Sequence, residues 1–129
     1  MAGEAYAFEA ELTVRDQVRA RRENEELRGR TFLTHDDRSW SWGQYCDEST
    51  RVAHCIKSRL GKIDDAHPGH VAMLLENHLE LSSLYGGCAI NGSTLFGINS
   101  GLRGEVLAGV INQSRSRLLV VDERSRPEP

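Results

Sequence analysis

The chain has 129 residues, 39% hydrophobic and 27% charged, with a formal net charge of −3. These values describe one ordinary globular domain with enough apolar residues for a real core. The acidic balance argues against nucleic acid as the main partner. No apolar run approaches the roughly 20 residues of a membrane span, and Met1-Ala2-Gly3-Glu4-Ala5-Tyr6 has neither the basic nor the apolar region of a secretory signal. Cys46, Cys55 and Cys88 form an odd, unpaired set, which reads as reduced thiols in a cytoplasmic protein.

Residues 1–12 read as a flexible leader. Thr13 is placed to cap a helix with Asp16 at its third position, and the helical pattern continues to about Leu27. The arginines and glutamates of 19–26 read as a solvated face. Residues 30–34 and 39–41 are short strands around the turn cluster His35-Asp36-Asp37-Arg38, giving a β-hairpin. Trp40 and Trp42 alternate with serine and are expected on one packed face of that hairpin. Ser41 caps a long helix to about Leu60, in which Tyr45, Val52, Ala53, Ile56 and Leu60 recur at helical spacing and Gly61 ends the run.

A polar loop, 62–69, leads to an unbroken apolar run at 71–75, the signature of a strand covered on both faces. Asn77 is placed to cap the next helix, with Leu81, Leu84, Tyr85 and Cys88 inward. A strand follows at 93–97, then a loop, then a helix at 104–116 with Val106, Leu107, Val110 and Ile111 inward, then a last strand at Leu118–Val121. The tail, 124–129, holds two prolines and no apolar residue and reads as disordered. Strands alternating with helix-length patterns predict the α/β class: a mostly parallel sheet with flanking helices, plus the N-terminal hairpin.

Motifs for chemistry are sparse. Neither the phosphate-loop pattern nor G-x-G-x-x-G occurs. Gly97-Ile98-Asn99-Ser100-Gly101-Leu102-Arg103-Gly104 joins a strand to a helix and carries an arginine; a tight turn with close helix–sheet packing is the simpler reading. His67-Pro68-Gly69-His70 has a metal-like gap, but no second ligand pair accompanies it, so no metal site is assigned. Cys88 sits in an apolar helical pattern, where a buried inert thiol is expected. Glu76 and Glu80 lie at a helix start, where acidic residues favour the helix dipole.

Taken in series, several segments resemble the opening region of the adenylate-forming family (acyl-CoA synthetases, aryl-CoA ligases, luciferases, peptide-synthetase adenylation domains). Ser39-Trp40-Ser41-Trp42 is similar to its aromatic hairpin segment, and Gly69-His70-Val71-Ala72 to its strand entry. Leu75-Glu76-Asn77-His78-Leu79-Glu80-Leu81 is similar to its asparagine-bearing helix start. Asn91 to Asn99 is similar to its strand and loop, and Leu102-Arg103-Gly104-Glu105-Val106-Leu107 to its arginine helix. The resemblance covers residues 13–123, read as a partial N-terminal subdomain, and is nearest to bacterial, particularly actinobacterial, fatty-acyl-CoA synthetases.

The resemblance implies a ligase of fatty-acid metabolism that converts a carboxylate, ATP and CoA to acyl-CoA, AMP and pyrophosphate, with Mg as the metal. The family's phosphate loop, the Thr-Glu segment near adenine, the ribose-binding aspartate and the adenylation lysine have no counterpart here. The resemblance therefore implies an N-terminal fragment, inactive alone, with no catalytic residue and no cofactor held by this chain. Gly97, Asn99 and Arg103 remain its only cofactor-side residues, as a CoA-side loop. The alternatives are a non-catalytic α/β binding module and one half of a split ligase served by a complementary C-terminal chain. A sheet edge left without its neighbour further predicts self-association.

Overall fold

The computed structural model describes residues 13–123. The expected leader (1–12) and tail (124–129) lie outside the described residues. The element order is α1 (Val14–Glu23), α2 (Glu25–Arg28), β1 (Thr31–His35), β2 (Arg38–Ser41), α3 (Trp42–Leu60), β3 (His70–Leu74), α4 (Leu79–Asn91), β4 (Thr94–Gly97), α5 (Gly104–Ser114) and β5 (Leu118–Val121). The expected α/β class, parallel sheet and antiparallel hairpin are all present.

Local chemistry sets most boundaries. Thr13 Oγ1 accepts from the Asp16 amide at 3.1 Å and so starts α1. The first helix stops at Asn24 rather than near Leu27. Asn24 takes an extended backbone, and its Oδ1 accepts from the Leu27 amide at 3.1 Å, which closes one helix and opens the next. Ser41 and Gln44 form a reciprocal capping box at the head of α3, with bonds of 2.8 and 3.2 Å. Gly92 ends α4 at φ 70°, in the left-handed region where glycine carries no Cβ penalty.

The three-stranded sheet has the order β4-β3-β5, all parallel. The chain steps from β3 to β4 through α4, then crosses back over β3 to β5 through α5. Two right-handed crossovers in opposite directions must put their helices on opposite faces. The core divides accordingly. Val71 and Met73 pack with Ile56, Leu60, Leu84 and Cys88 under α3 and α4. Ala72 and Leu74 pack with Ile98 and Leu107 under α5. A third small core joins Val18, Tyr45 and Cys46 to Phe32, Trp40 and Trp42 of the hairpin region. Both tryptophans share that packed side, although Trp42 is the first residue of α3, stacked on Phe32 at 3.6 Å between ring centroids.

Three further sequence expectations are corrected. Tyr85 is 53% exposed. The inward faces of α4 are Leu84 and Cys88 toward the sheet, and Ser83, Gly86 and Gly87 toward α3. Val106 is 63% exposed, because α5 presents the stripe Leu107, Val110, Ile111 and Ser114, and Val106 lies off it. Asn77 does not cap α4: the N-cap is His78, in extended backbone and with no side-chain cap bond.

Candidate functional site

In open parallel α/β sheets the ligand crevice lies beyond the carboxyl ends of the strands, where the strand order reverses. Here the reversal falls between β3 and β5. A cleft of about 700 Å³ opens at that end. Its walls are the hairpin turn (His35, Asp36, Asp37, Arg38), the β3–α4 connection (Glu76, Asn77, His78, with Glu80) and the end of β5 (Asp122, Glu123).

The hairpin is tied to α4 across this cleft. Arg38 donates both terminal nitrogens to the Glu80 carboxylate, Nη1 to Oε2 at 3.2 Å and Nη2 to Oε1. Such a two-pronged pair fixes orientation as well as charge. Arg38, and more weakly the nearby His78, hold the Glu80 carboxyl down to about 2. His78 Nδ1 stands 3.2 Å from Glu80 Oε2, outside hydrogen-bonding alignment, and is buried without a hydrogen-bond partner. At the turn Asp36 takes φ 53°, a left-handed conformation that aspartate tolerates.

The cleft is therefore acidic. Asp36, Asp37, Glu76, Glu80, Asp122 and Glu123 face one arginine and two histidines. A polyphosphate needs the reverse donor set: amides, lysine or arginine, and a bridging cation. These residues do not fit a triphosphate.

Gly97, Asn99 and Arg103 lie in one connection at the same end of the sheet, on the β4 side. A Cβ at Gly97 would stand 3.1 Å from the Met73 methyl, so the strand end is close-packed there. Asn99 Oδ1 accepts from the Gly101 amide at 2.8 Å. Arg103 Nη1 donates to the Ser100 carbonyl and, at 2.8 Å, to the Leu102 carbonyl. All three residues are exposed, none lines the acidic cleft, and the two polar side chains close their own loop.

The other singled-out groups have separate partners. His67 Nδ1 meets Asp64 Oδ1 at 2.9 Å, while His70 Nδ1 meets the Ser114 carbonyl at 2.7 Å. Cys88 is buried, which pushes its thiol up to about 11. Among the described residues no group of three acidic, histidine or cysteine side chains is arranged to hold a metal ion, and no helix is long and apolar enough to cross a membrane.

The sequence-family profile described as "AMP-binding enzyme" matches residues 18–129. The chain belongs to the AMP-binding enzyme family. Solved structures agree on the fold. The N-terminal subdomain of Klebsiella oxytoca NpsA in complex with 3-hydroxyanthranilyl-AMSN is 18% identical, with a TM-score of 0.76 over 97% of this chain and 30% of that one. The anthranilate CoA ligase AuaEII in complex with anthranoyl-AMP is 22% identical, with a TM-score of 0.74 over 87% of this chain and 20% of that one. The fatty acid AMP ligase from Legionella pneumophila is 18% identical, with a TM-score of 0.69 over 87% and 20%. The chain thus spans a third or less of each of these structures. No curated protein matches the sequence.

Sequence reasoning missed the hairpin turn and Asp122-Glu123 as parts of one cleft. Each is a charged cluster following a strand, but only the strand order brings them together.

Proposed function

We propose that this chain supplies part of the N-terminal scaffold of an ATP-dependent carboxylic-acid ligase of the fatty-acyl-CoA synthetase type. The observation that carries the reading is the family match over residues 18–129 on a doubly wound α/β fold that aligns with adenylating subdomains. A fatty acid, ATP and CoA are the reactants of the complete ligase, with Mg as its metal. The structural neighbours include a fatty acid AMP ligase, beside others whose ligands are aryl groups.

On this reading residues 13–123 form scaffold and do not by themselves catalyse. Adenylation demands positioned positive charge around the phosphates. The acidic cleft at the switch point offers the opposite sign, so no step is assigned to it. On this reading Gly97, Asn99 and Arg103 form a CoA-side loop, although the Arg103 guanidinium is turned onto the Ser100 and Leu102 carbonyls of its own connection.

The test is pyrophosphate release by the purified 129-residue polypeptide with ATP, Mg, CoA and long-chain acids. The expected result is no turnover above the rate without protein. Turnover that depends on the acid would refute the scaffold reading.

A further inference from the structure

We infer that Asn91-Gly92 is a self-modification site: the fold protects the pair while α4 lies on α3, and Asn91 converts to aspartate or isoaspartate when the end of α4 opens. The chain has five asparagines, and only Asn91 is followed by glycine. A side chain on the following residue shields its backbone nitrogen from the asparagine amide, and glycine has none. Each member of the pair is held in place by the fold. Gly92 ends α4 at φ 70°, where a Cβ is penalised. Asn91 is half-buried, and its Nδ2 donates to the Ala53 carbonyl of α3 at 2.7 Å. The need to end one helix and to tie it to another thus builds a reactive dipeptide.

The reaction consumes only water. The Gly92 nitrogen attacks Asn91 Cγ, and the new C–N bond closes a cyclic imide. The side-chain nitrogen leaves as ammonia, carrying the proton lost from the Gly92 nitrogen. Water then adds its hydroxyl to an imide carbonyl carbon, and its proton returns to the Gly92 nitrogen. Opening at Cγ gives aspartate. Opening at the main-chain carbonyl gives isoaspartate, which lengthens the backbone by a carbon. In the folded chain both reacting groups are engaged: the Asn91 carboxamide with Ala53, and the Gly92 amide with the Ala89 carbonyl at 3.3 Å. The Ser93 amide closes the same turn on the Cys88 carbonyl at 2.9 Å. Ring closure must break the first two bonds, so it waits on local opening of the helix end.

Neither product fits the place that Asn91 holds. A carboxylate has no N–H for the Ala53 carbonyl and brings oxygen against oxygen, while Ala53 itself is buried. The new negative charge also falls at the C-terminal end of α4, where the helix carbonyls disfavour it. Arg15, whose Nε donates to the Ala89 carbonyl at 3.4 Å, offsets part of that charge but does not replace the lost donor. Conversion therefore loosens α4 from α3, and it is not reversed, because ammonia has left.

The test is peptide mapping by mass spectrometry of the 129-residue polypeptide aged at neutral pH, in native buffer and in urea. In urea Asn91 is expected to convert faster than the other four asparagines. In native buffer its conversion is expected to be slower by about tenfold or more, since it must wait for opening. Asn91→Asp supplies the aspartate product directly, and its Tm is expected to fall by about 5–10 °C. A variant too loosened to melt cooperatively agrees with that expectation, and the ratio of wild-type rates in the two solvents is read without it. Equal rates in native buffer and urea, an Asn91 that stays intact in urea, or an Asn91→Asp chain that melts with wild type would each overturn the inference.

Discussion

Alanine substituted at Gly86 tests the α3–α4 contact on which the sheet rests. In an exposed helix interior Gly→Ala gains about 1 kcal/mol from the smaller loss of backbone freedom. At Gly86 the new Cβ would stand 2.2 Å from Ser49 Oγ, 2.8 Å from Ser49 Cβ and 2.9 Å from the Tyr45 hydroxyl. Ser49 is 0% exposed on a long helix, so it cannot swing into solvent. Helix α3 itself must retreat, and overpacking of this kind costs about 1–3 kcal/mol. With the propensity gain set against a cost at the upper end, Gly86→Ala is expected to lose about 1–2 kcal/mol, or about 5–10 °C in Tm for a domain of this size. Gly109 in α5 is the internal control, since a Cβ there meets nothing within 4 Å. Gly109→Ala should therefore gain up to about 1 kcal/mol. Adding Ser49→Gly to Gly86→Ala removes the obstructing hydroxyl and carbon and should recover much of the loss. Thermal melts followed by far-UV circular dichroism measure all four proteins. A Gly86→Ala melt equal to or above wild type would refute the reasoning.

Glu80→Gln, read by chemical denaturation across pH, should show the Arg38–Glu80 pair at work. The folded carboxyl titrates at about 2, below its ordinary 4.5, so its contribution is complete above pH 4.5 and fades as pH falls toward 2. The pair is half-exposed, which limits the difference from wild type at pH 7 to about 0.2–1 kcal/mol; an unchanged difference down to pH 2 would count against the assignment. Thiol titration should find one reactive cysteine, Cys55, in the native chain and three in denaturant, because Cys46 and Cys88 are buried. Cys88 adds an alkaline limb: its folded value near 11 exceeds the ordinary 9, so its contribution holds below pH 9 and is lost as pH rises through 11. Cys88→Ser should flatten that limb, as seen in urea midpoints between pH 8 and 11.

Much of this fold is written locally. Thr13, Ser41 and Gly61 announce helix ends because capping needs only neighbouring backbone groups. The apolar run at β3 announces a strand covered on both sides, and Val71/Met73 and Ala72/Leu74 do face two separate cores. Hydrophobic periodicity fails where packing is done without hydrophobic side chains. Gly86, Gly87 and Ser83 form the face of α4 against α3, and glycine and serine leave no apolar signal, so Tyr85 looked inward in their place. Asn24 divides one apparent helix in two because its side chain competes with the helical backbone for the Leu27 amide.

By itself the sequence determined the element order, the α/β class and the likeness to adenylate-forming enzymes, since each rests on patterns within a few turns or strands of one another. Only the tertiary structure decided that β5 lies beside β3 on the side away from β4. That single placement gathers three distant acidic clusters into one cleft. Strand order is a long-range choice, set by the hand of the crossovers and by which face each helix must cover, and no short stretch of residues encodes it.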